Sequence, residues 1–521
     1  MRDGAPVPPN FQSLNLSDFA FDGFDDSLSD IARRLGRIGI RRDEPKVSVI
    51  DRAIFVPSET ALDAEQKKTW SGGLMTADGL PIDAARLRRK GKVRAGFDVT
   101  ADTLEPKQEV DEEVVYLGPL FNHFGRVLLE SLARVWYLNA VKSDIKVVFD
   151  YPNATPNSHG VWVERILTAF GVPMSRILIL DSPTRLQRAI VPEPLFEQGH
   201  VVHEMMIRPF REVAARIASD VTPTEQPVYL SRGRLGSRQR PIIGEAELEE
   251  VLKDNGFLIV YPETMDFEDQ VRLVNHHATI VTGIGSAAHN ILFARNGPRL
   301  HLLTNGDQIP VNYYLCSAVA EVPTTFIDCL GTGGRGSFAE ERKGGGRRGE
   351  AAQGGPLRAP GRQATPQKLD LARISDYLDR QGLLKKRSWA SRADHDSVLQ
   401  NQYDEAWLYA RVRRANPTRG KNLPADIEGE AVRLATESWP MSWILARYYA
   451  SVRQHDDQVA TMAQQFIDLV TCEVDPDRLA YYRDDVDNMV ARIVRVIGAE
   501  SGTRLTAVVA DRFGNRSTEN G

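Results

Sequence analysis

Ala278-Thr279-Ile280-Val281-Thr282-Gly283-Ile284-Gly285-Ser286-Ala287-Ala288-His289-Asn290 is the stretch that decides the fold. Its first five residues are small, apolar or β-branched and carry no charge, as a strand covered on both faces requires. The small residues after it permit a sharp turn into a helix, whose positive end offers N–H groups to an anion. A buried strand followed at once by a helix is the unit of a parallel, helix-covered sheet.

Working outward, the same alternation predicts strands at 228–230, 257–260, 300–303 and 324–327, with helices at 245–253, 267–275 and near 313–319. A turn-rich segment at 221–227 separates these from an earlier set. There the strands are expected at 47–56, 114–117, 146–149, 177–180 and 189–191, and the helices at 161–170 and 204–218. The expectation is therefore two α/β halves, 46–220 and 221–330, with a mainly parallel sheet in each. Residues 1–45 read as an N-terminal extension with one short amphipathic helix inside 27–40. Residues 331–365 combine glycine clusters with Arg335, Arg342, Lys343, Arg347, Arg348, Arg358 and Arg362 and have almost nothing to bury, so they read as a flexible Gly/Arg-rich linker. Residues 366–521 read as all-helical, an appendage that packs on the α/β part or joins two copies.

The 521 residues exceed what one core accommodates, and 42% hydrophobic with 26% charged is the composition of a globular protein. A net charge of −5 and a pI near 6.1 exclude a general nucleic-acid binder, although a local basic pocket still suits a nucleotide. Cys316, Cys329 and Cys472 are scattered and form neither a metal-ligand spacing nor a disulfide framework. No secretory signal and no apolar run of spanning length are read, so the expected location is cytoplasmic, with peripheral contact at the inner membrane left open.

Three stretches carry chemistry. The loop after strand 228–230, Ser231 to Arg240, holds four arginines in nine residues (Arg232, Arg234, Arg238, Arg240), a set able to grip phosphate. The 283–290 turn is a second anion-friendly loop at the same kind of strand end. Gly283-x-Gly285-x-x-Ala288 with Asp307 also fits a loose dinucleotide pattern. That pattern belongs after the first strand of its domain, whereas here it follows a later one. The third stretch is Phe121-Asn122-His123-Phe124-Gly125-Arg126-Val127-Leu128-Leu129-Glu130-Ser131-Leu132-Ala133-Arg134-Val135-Trp136. It reads as one helix capped by Asn122, with His123, Arg126, Glu130 and Arg134 along a stripe. So polar a stripe on so apolar a helix is either a buried salt-bridge network or the wall of a cleft. Glu263 reads as a ribose acceptor or a helix cap, and Asn290 as a candidate cap of the helix that His289 and Asn290 begin. His276 and His277 read as structural. The Asp-x-Asp triplets at 394–396, 475–477 and 485–487 read as surface charge.

The order of these blocks resembles glycosyltransferase family 61. The blocks are 122–134, then Tyr229-Leu230-Ser231-Arg232-Gly233-Arg234 with Arg240 and Glu245, then Gly256-Phe257, Pro262-Glu263 and Gln270, then Gly285 to Asn290 with Leu292-Phe293. The resemblance covers roughly 114–311. It implies a GT-B-like fold, two Rossmann-like domains facing a cleft, and an inverting transfer without an obligatory metal or cofactor. The sugar would pass from a nucleoside diphosphate sugar to a saccharide or lipid-linked acceptor, as in bacterial surface polysaccharide synthesis. On this reading Glu130 or His123 is the catalytic base. Arg126, Arg134, Arg232, Arg234, Arg240, Glu245, Glu263, Gly285, Ser286, Ala287, His289 and Asn290 contact substrate. The chain departs from the family pattern at Arg126, where histidine is common, at Gly244, where asparagine often stands, and at Thr282, where glycine is common. An arginine cannot replace an imidazole base. Either His123 or Glu130 then serves as the base, or the chain is a catalytically degenerate saccharide- or nucleotide-binding scaffold.

Overall fold

The computed structural model describes residues 10–24, 27–62, 68–93, 104–141, 144–151, 160–235, 242–305, 309–331, 367–385, 393–415, 423–451, 456–473, 476–487 and 489–513. Arg238, Arg240, Asp307 and all but the first residue of the expected 331–365 linker lie outside them. The chain divides into two compact units, Met1–Leu230 with Gly256–Asp328, and Ser231–Asn255 with Cys329–Gly521.

The first unit contains two six-stranded sheets. One runs in the order Ile177–Leu178, Lys146–Asp150, Gln108–Pro119, Thr184–Pro192, Val47–Leu62, Lys68–Met75. Its first four strands are parallel, and the last two join antiparallel. The sheet is thus more mixed than the strand–helix alternation suggests. Five residues between Leu62 and Lys68 are too few for a parallel crossover, so these strands form a hairpin. Among the parallel strands the chain order is 3-2-1-4, and it reverses between Gln108–Pro119 and Thr184–Pro192.

The other sheet is parallel throughout: Leu258–Val260, Val228–Leu230, Thr279–Gly283, Arg299–Thr304, Thr324–Asp328, Ala20–Asp22. Counted from Val228–Leu230 its first five strands run 2-1-3-4-5, the flavodoxin-like order, which reverses between Val228–Leu230 and Thr279–Gly283. Thr282 Oγ1 donates to Leu230 O at 3.0 Å and ties these strands at their carboxyl ends.

Residues 10–24 and 27–45 do not stand apart from this unit. Ala20–Asp22 is the sixth strand of the parallel sheet, and helix Leu28–Leu35 buries Ile31 and Leu35 completely. Phe19 and Phe21 pack on Tyr314 and Phe326, aromatic surface that the sheet edge would otherwise expose to water. The two α/β halves also share one core. Phe210 of the first half lies 5.0 Å from Phe293 of the second, and Phe170 and Phe267 complete the stack.

The second unit has a small sheet (Ile242–Ile243, Gln367–Leu369, Leu330–Gly331) and helices. Those after the sheet are Leu371–Arg380, Ala393–Arg414, Ala425–Ala435, Trp439–Tyr449, Asp456–Thr471, Pro476–Asp487, Val490–Ile497 and Ala499–Phe513. Trp443 and Phe466 meet at 4.6 Å inside a core fed by most of these helices. Asp485 is not surface charge: it is buried, accepts from the Tyr409 hydroxyl at 2.8 Å and pairs with Arg413. Among the described residues no helix is long and apolar enough to cross a membrane.

Candidate active site

Both order reversals lie at carboxyl ends of strands in the first unit, where ligands of such sheets bind. The segment after Gln108–Pro119 is not the single helix expected. Phe124–Arg126 forms a short α turn, Val127–Ser131 a π turn, and a regular helix resumes only at Trp136–Val141. His123, extended at φ −156° and ψ 120°, is the residue that enters the turn, so Asn122 lies one position outside. The i to i+5 bond Leu132 N–H to Val127 O, 3.0 Å, marks the π turn. Such turns recur at functional sites.

The π turn buries Glu130 and delivers its carboxylate to two arginines. Arg89 grips it bidentately, Nε to Oε1 at 2.6 Å and Nη2 to Oε2 at 2.7 Å, while Arg126 Nε reaches Oε2 at 2.8 Å. The Arg126 guanidinium also lies 3.2 Å from the centre of the Phe121 ring. Three charge-assisted bonds thus occupy most of the acceptor capacity of this carboxylate.

Arg134 does not flank Glu130 as its position on the stripe suggests. It is 1% exposed and donates through Nε to Pro192 O and through Nη2 to Ala84 O, both at 2.8 Å. It fills the reversal of the first sheet and contributes structure. Because the segment is not one helix, residues 130 and 134 do not share a face.

His123 is exposed, yet the protein around its ring holds its pKa below the usual histidine value, assisted by the Arg126 charge. Its imidazole is therefore neutral at pH 7. Gly125 sits directly on the 285–290 turn: a Cβ there would be 3.0 Å from Ser286 Cβ and 3.3 Å from His289 Cδ2. His289 is buried, stacks on Tyr313 at 4.9 Å and is driven down to about pKa 4 by burial, with His123 adding to the effect. The Tyr313 hydroxyl donates to Gly285 O at 3.1 Å and fixes the mouth of the turn. Ser286–Phe293 is a 3-10 helix, entered from an extended Gly285. Gly285, Ser286 and Ala287 remain partly open.

Asn290 is no cap. It lies inside this helix, 4% exposed, and its Nδ2 donates to Gln270 Oε1 at 2.9 Å. Gln270 Nε2 in turn donates to Pro262 O at 2.9 Å. That relay fixes both amide orientations and leaves Asn290 Oδ1 as a buried acceptor with no hydrogen-bond partner among the described residues.

Arg232, Arg234 and Glu245 belong to the second unit. The Glu245 carboxylate, buried, accepts the Arg232 backbone N–H at 2.8 Å, so it organises the arginine loop. Arg232 is half-buried and Arg234 exposed. Gly244 adopts φ +88°, a conformation glycine takes freely and asparagine tolerates, which accounts for those two residue types at this place. Glu263 is exposed on the 3-10 turn Pro262–Thr264. His276 and His277 each place Nδ1 on a backbone carbonyl, of Thr222 and Gln226, as structural histidines do. Among the described residues no cluster of three or more His, Cys, Asp or Glu is placed to hold a metal ion.

The structure thus gathers His123, Arg126, Glu130, Gly285, Ser286, Ala287 and His289, and adds Arg89 and Tyr313, which the sequence reading missed. For Arg89 the available signal was the basic run Arg86-Leu87-Arg88-Arg89-Lys90. For Tyr313 there was none, since its role arises from the fold.

Fold and site define a protein with a doubly wound α/β sheet, whose turn at the order reversal meets a histidine–arginine–glutamate segment. Residues 97–300 match the family model described as Glycosyltransferase 61, which supports glycosyltransferase family 61 for this segment and glycosyl transfer as its implied activity. The match spans both order reversals. No curated protein matches the chain.

Proposed function

We propose that this chain is an inverting, metal-independent glycosyltransferase of the GT-B type. It moves a sugar from a nucleoside diphosphate sugar to a saccharide or lipid-linked acceptor in bacterial surface polysaccharide synthesis. It would work in the cytoplasm, against the inner membrane where the acceptor is lipid-linked. The observation that carries this reading is the contact of Gly125 with Ser286 and His289, which joins the segment able to supply a base to the turn able to face a donor.

Of the two candidate bases, His123 fits better. Its imidazole is exposed and neutral, whereas the Glu130 oxygens already accept three N–H bonds. His123 would take the proton of the acceptor hydroxyl. The acceptor oxygen forms its bond to the anomeric carbon from the face opposite the diphosphate, and the nucleoside diphosphate leaves with the electron pair. Glu130 holds the arginines beside this event.

The test is a panel of uridine, cytidine, guanosine and thymidine diphosphate sugars with the purified protein, followed by binding, hydrolysis and transfer. Turnover is expected with one nucleotide series, falling on the order of 10²-fold or more in His123→Ala. No binding and no turnover of any of them at millimolar concentration overturns the reading. A second reading, a catalytically degenerate scaffold that binds the sugar nucleotide, draws on Arg126 standing where the family commonly has histidine. Binding without turnover would establish it.

A further inference from the structure

We infer that Arg89 is a positioning residue of this site: it holds the Glu130 carboxylate and, through Glu130, sets the Arg126 guanidinium. The inference rests on the transferase reading for its kinetic consequence, but not for its geometry.

Arg89 precedes the segment that matches the family, which begins at residue 97. It is delivered by a small hairpin, Arg88–Arg89 paired with Lys92–Val93. The turn is Lys90-Gly91, both at positive φ (52° and 73°), the two-residue geometry that matches the twist of a hairpin. Lys90 carries a side chain in that conformation at a cost, and strain of this kind persists where its surroundings enforce it. Here the surroundings are the 197–199 loop. Lys90 N–H donates to Gln198 O at 2.9 Å, Gly91 N–H to the Glu197 carboxylate, and Arg89 bridges to Gln198. The loop is itself pinned by Gly199 N–H to Asn312 Oδ1 at 3.0 Å. Arg89 is therefore presented from a braced support.

From that support its fork takes both Glu130 oxygens. The Glu130 side chain is 3% exposed, so a carboxylate that loses Arg89 has little water to turn to. Arg126 Nε is fixed by the same Oε2, and its guanidinium lies on Phe121. Removing Arg89 releases Glu130, which releases Arg126. Arg89 acts two steps from the reacting atoms and need not touch substrate.

The test is a double-mutant cycle on the full chain with Arg89→Gln, Glu130→Gln and the pair, read as kcat and donor KM and, separately, as the free energy of unfolding. Each single variant is expected to lower kcat on the order of 10²-fold, the scale set by misplacing a group at a reacting centre. The double variant should be no slower than Glu130→Gln alone. Arg89→Lys, which keeps the charge but not the fork, should recover only part of the rate. Multiplicative effects on kcat, or full recovery by lysine, overturn the inference. Absence of turnover in the parent protein overturns the transferase reading instead. The cycle is then judged by unfolding, where additive losses overturn the coupling of Arg89 to Glu130 and strong non-additivity upholds it.

Discussion

Gly125 and Ser286 come from different α/β halves and meet so closely that a Cβ on residue 125 would lie 3.0 Å from Ser286 Cβ. Fewer than one real contact in ten is so tight, so one side must give. Gly125→Ala is expected to push the 286–290 turn off the 123–126 segment and reduce turnover on the order of 10-fold or more, with a small loss of stability. Gly125 has no positive φ, so backbone strain does not enter. Gly125→Ala with Ser286→Gly should restore part of the rate, because the closest atom is then gone. Kinetics of the single and paired variants check this.

Gly118 is a different case. It sits at φ +85°, and a Cβ there would be 2.6 Å from Arg134 Nη1. Arg134 is buried and tied to the Pro192 and Ala84 carbonyls, so it has nowhere to move. Gly118→Ala therefore meets backbone strain and a steric clash together. A loss of about 3 kcal/mol or more is expected. Arg134→Met leaves two carbonyls without their donor, which costs about 1–3 kcal/mol for each. Denaturant unfolding of both variants gives the values directly.

The fate of Arg134 shows what the sequence could and could not convey. Strand and helix positions in both halves were legible because apolar periodicity reports local burial, and the 279–283 strand with its turn is the clearest example. Helical spacing placed Arg134 beside Glu130 only on the assumption of an unbroken helix, and no local signal announces a π turn. Arg89 reaches Glu130 across 41 positions of chain. The strand Ala20–Asp22 completes a sheet whose other members begin two hundred residues later. Such pairings depend on tertiary packing, which single-sequence periodicity does not encode. Asp485 was misjudged for the same reason: its partners Tyr409 and Arg413 lie on another helix.

The relay from Gln270 to Asn290 yields a prediction about amide chemistry. Asn290→Asp replaces the Nδ2 donor by an oxygen that faces Gln270 Oε1. Gln270 can turn its amide to meet it only by abandoning the Pro262 carbonyl. Either outcome leaves one buried group unsatisfied, and a loss of about 1–3 kcal/mol is expected although the side chains have the same shape. Asn290 Oδ1, the acceptor left open by the relay, is suited to a neutral donor such as a hydroxyl or a ring N–H. Thermal shift with a nucleoside, against inorganic pyrophosphate, checks the second point: the nucleoside shift should vanish in Asn290→Ala, which removes the acceptor, and the pyrophosphate shift should not.

Acid stability offers the last prediction, through Asp150. This carboxyl ends the Lys146–Asp150 strand, is 6% exposed, and is pushed up to about pKa 6 by burial, against the pull of the Ser58 N–H and hydroxyl. Its folded pKa lies above its unfolded one, so between about pH 4 and 6 the native state binds the extra proton. The buried anion therefore costs about 3 kcal/mol above pH 6, a cost that disappears as pH falls to 4. His289 and His301 work the other way. Burial drives both down to about 4, so from pH 6.5 to 4 the unfolded chain takes protons the native state refuses, and stability falls with acid. Over pH 4–6 the two histidines outweigh the one carboxyl, and these three groups together destabilise the fold by about 1.4 kcal/mol per pH unit of acidification. Asp150→Asn removes the opposing member. It should stabilise the protein at pH 8, gain nothing near pH 4, and steepen the decline in between by about 1.4 kcal/mol per unit. Unfolding free energies of parent and variant from pH 4 to 8 supply the difference curve, which isolates Asp150 from every other titrating group. A difference that does not change across that range would show that Asp150 carries no proton of its own in the folded state.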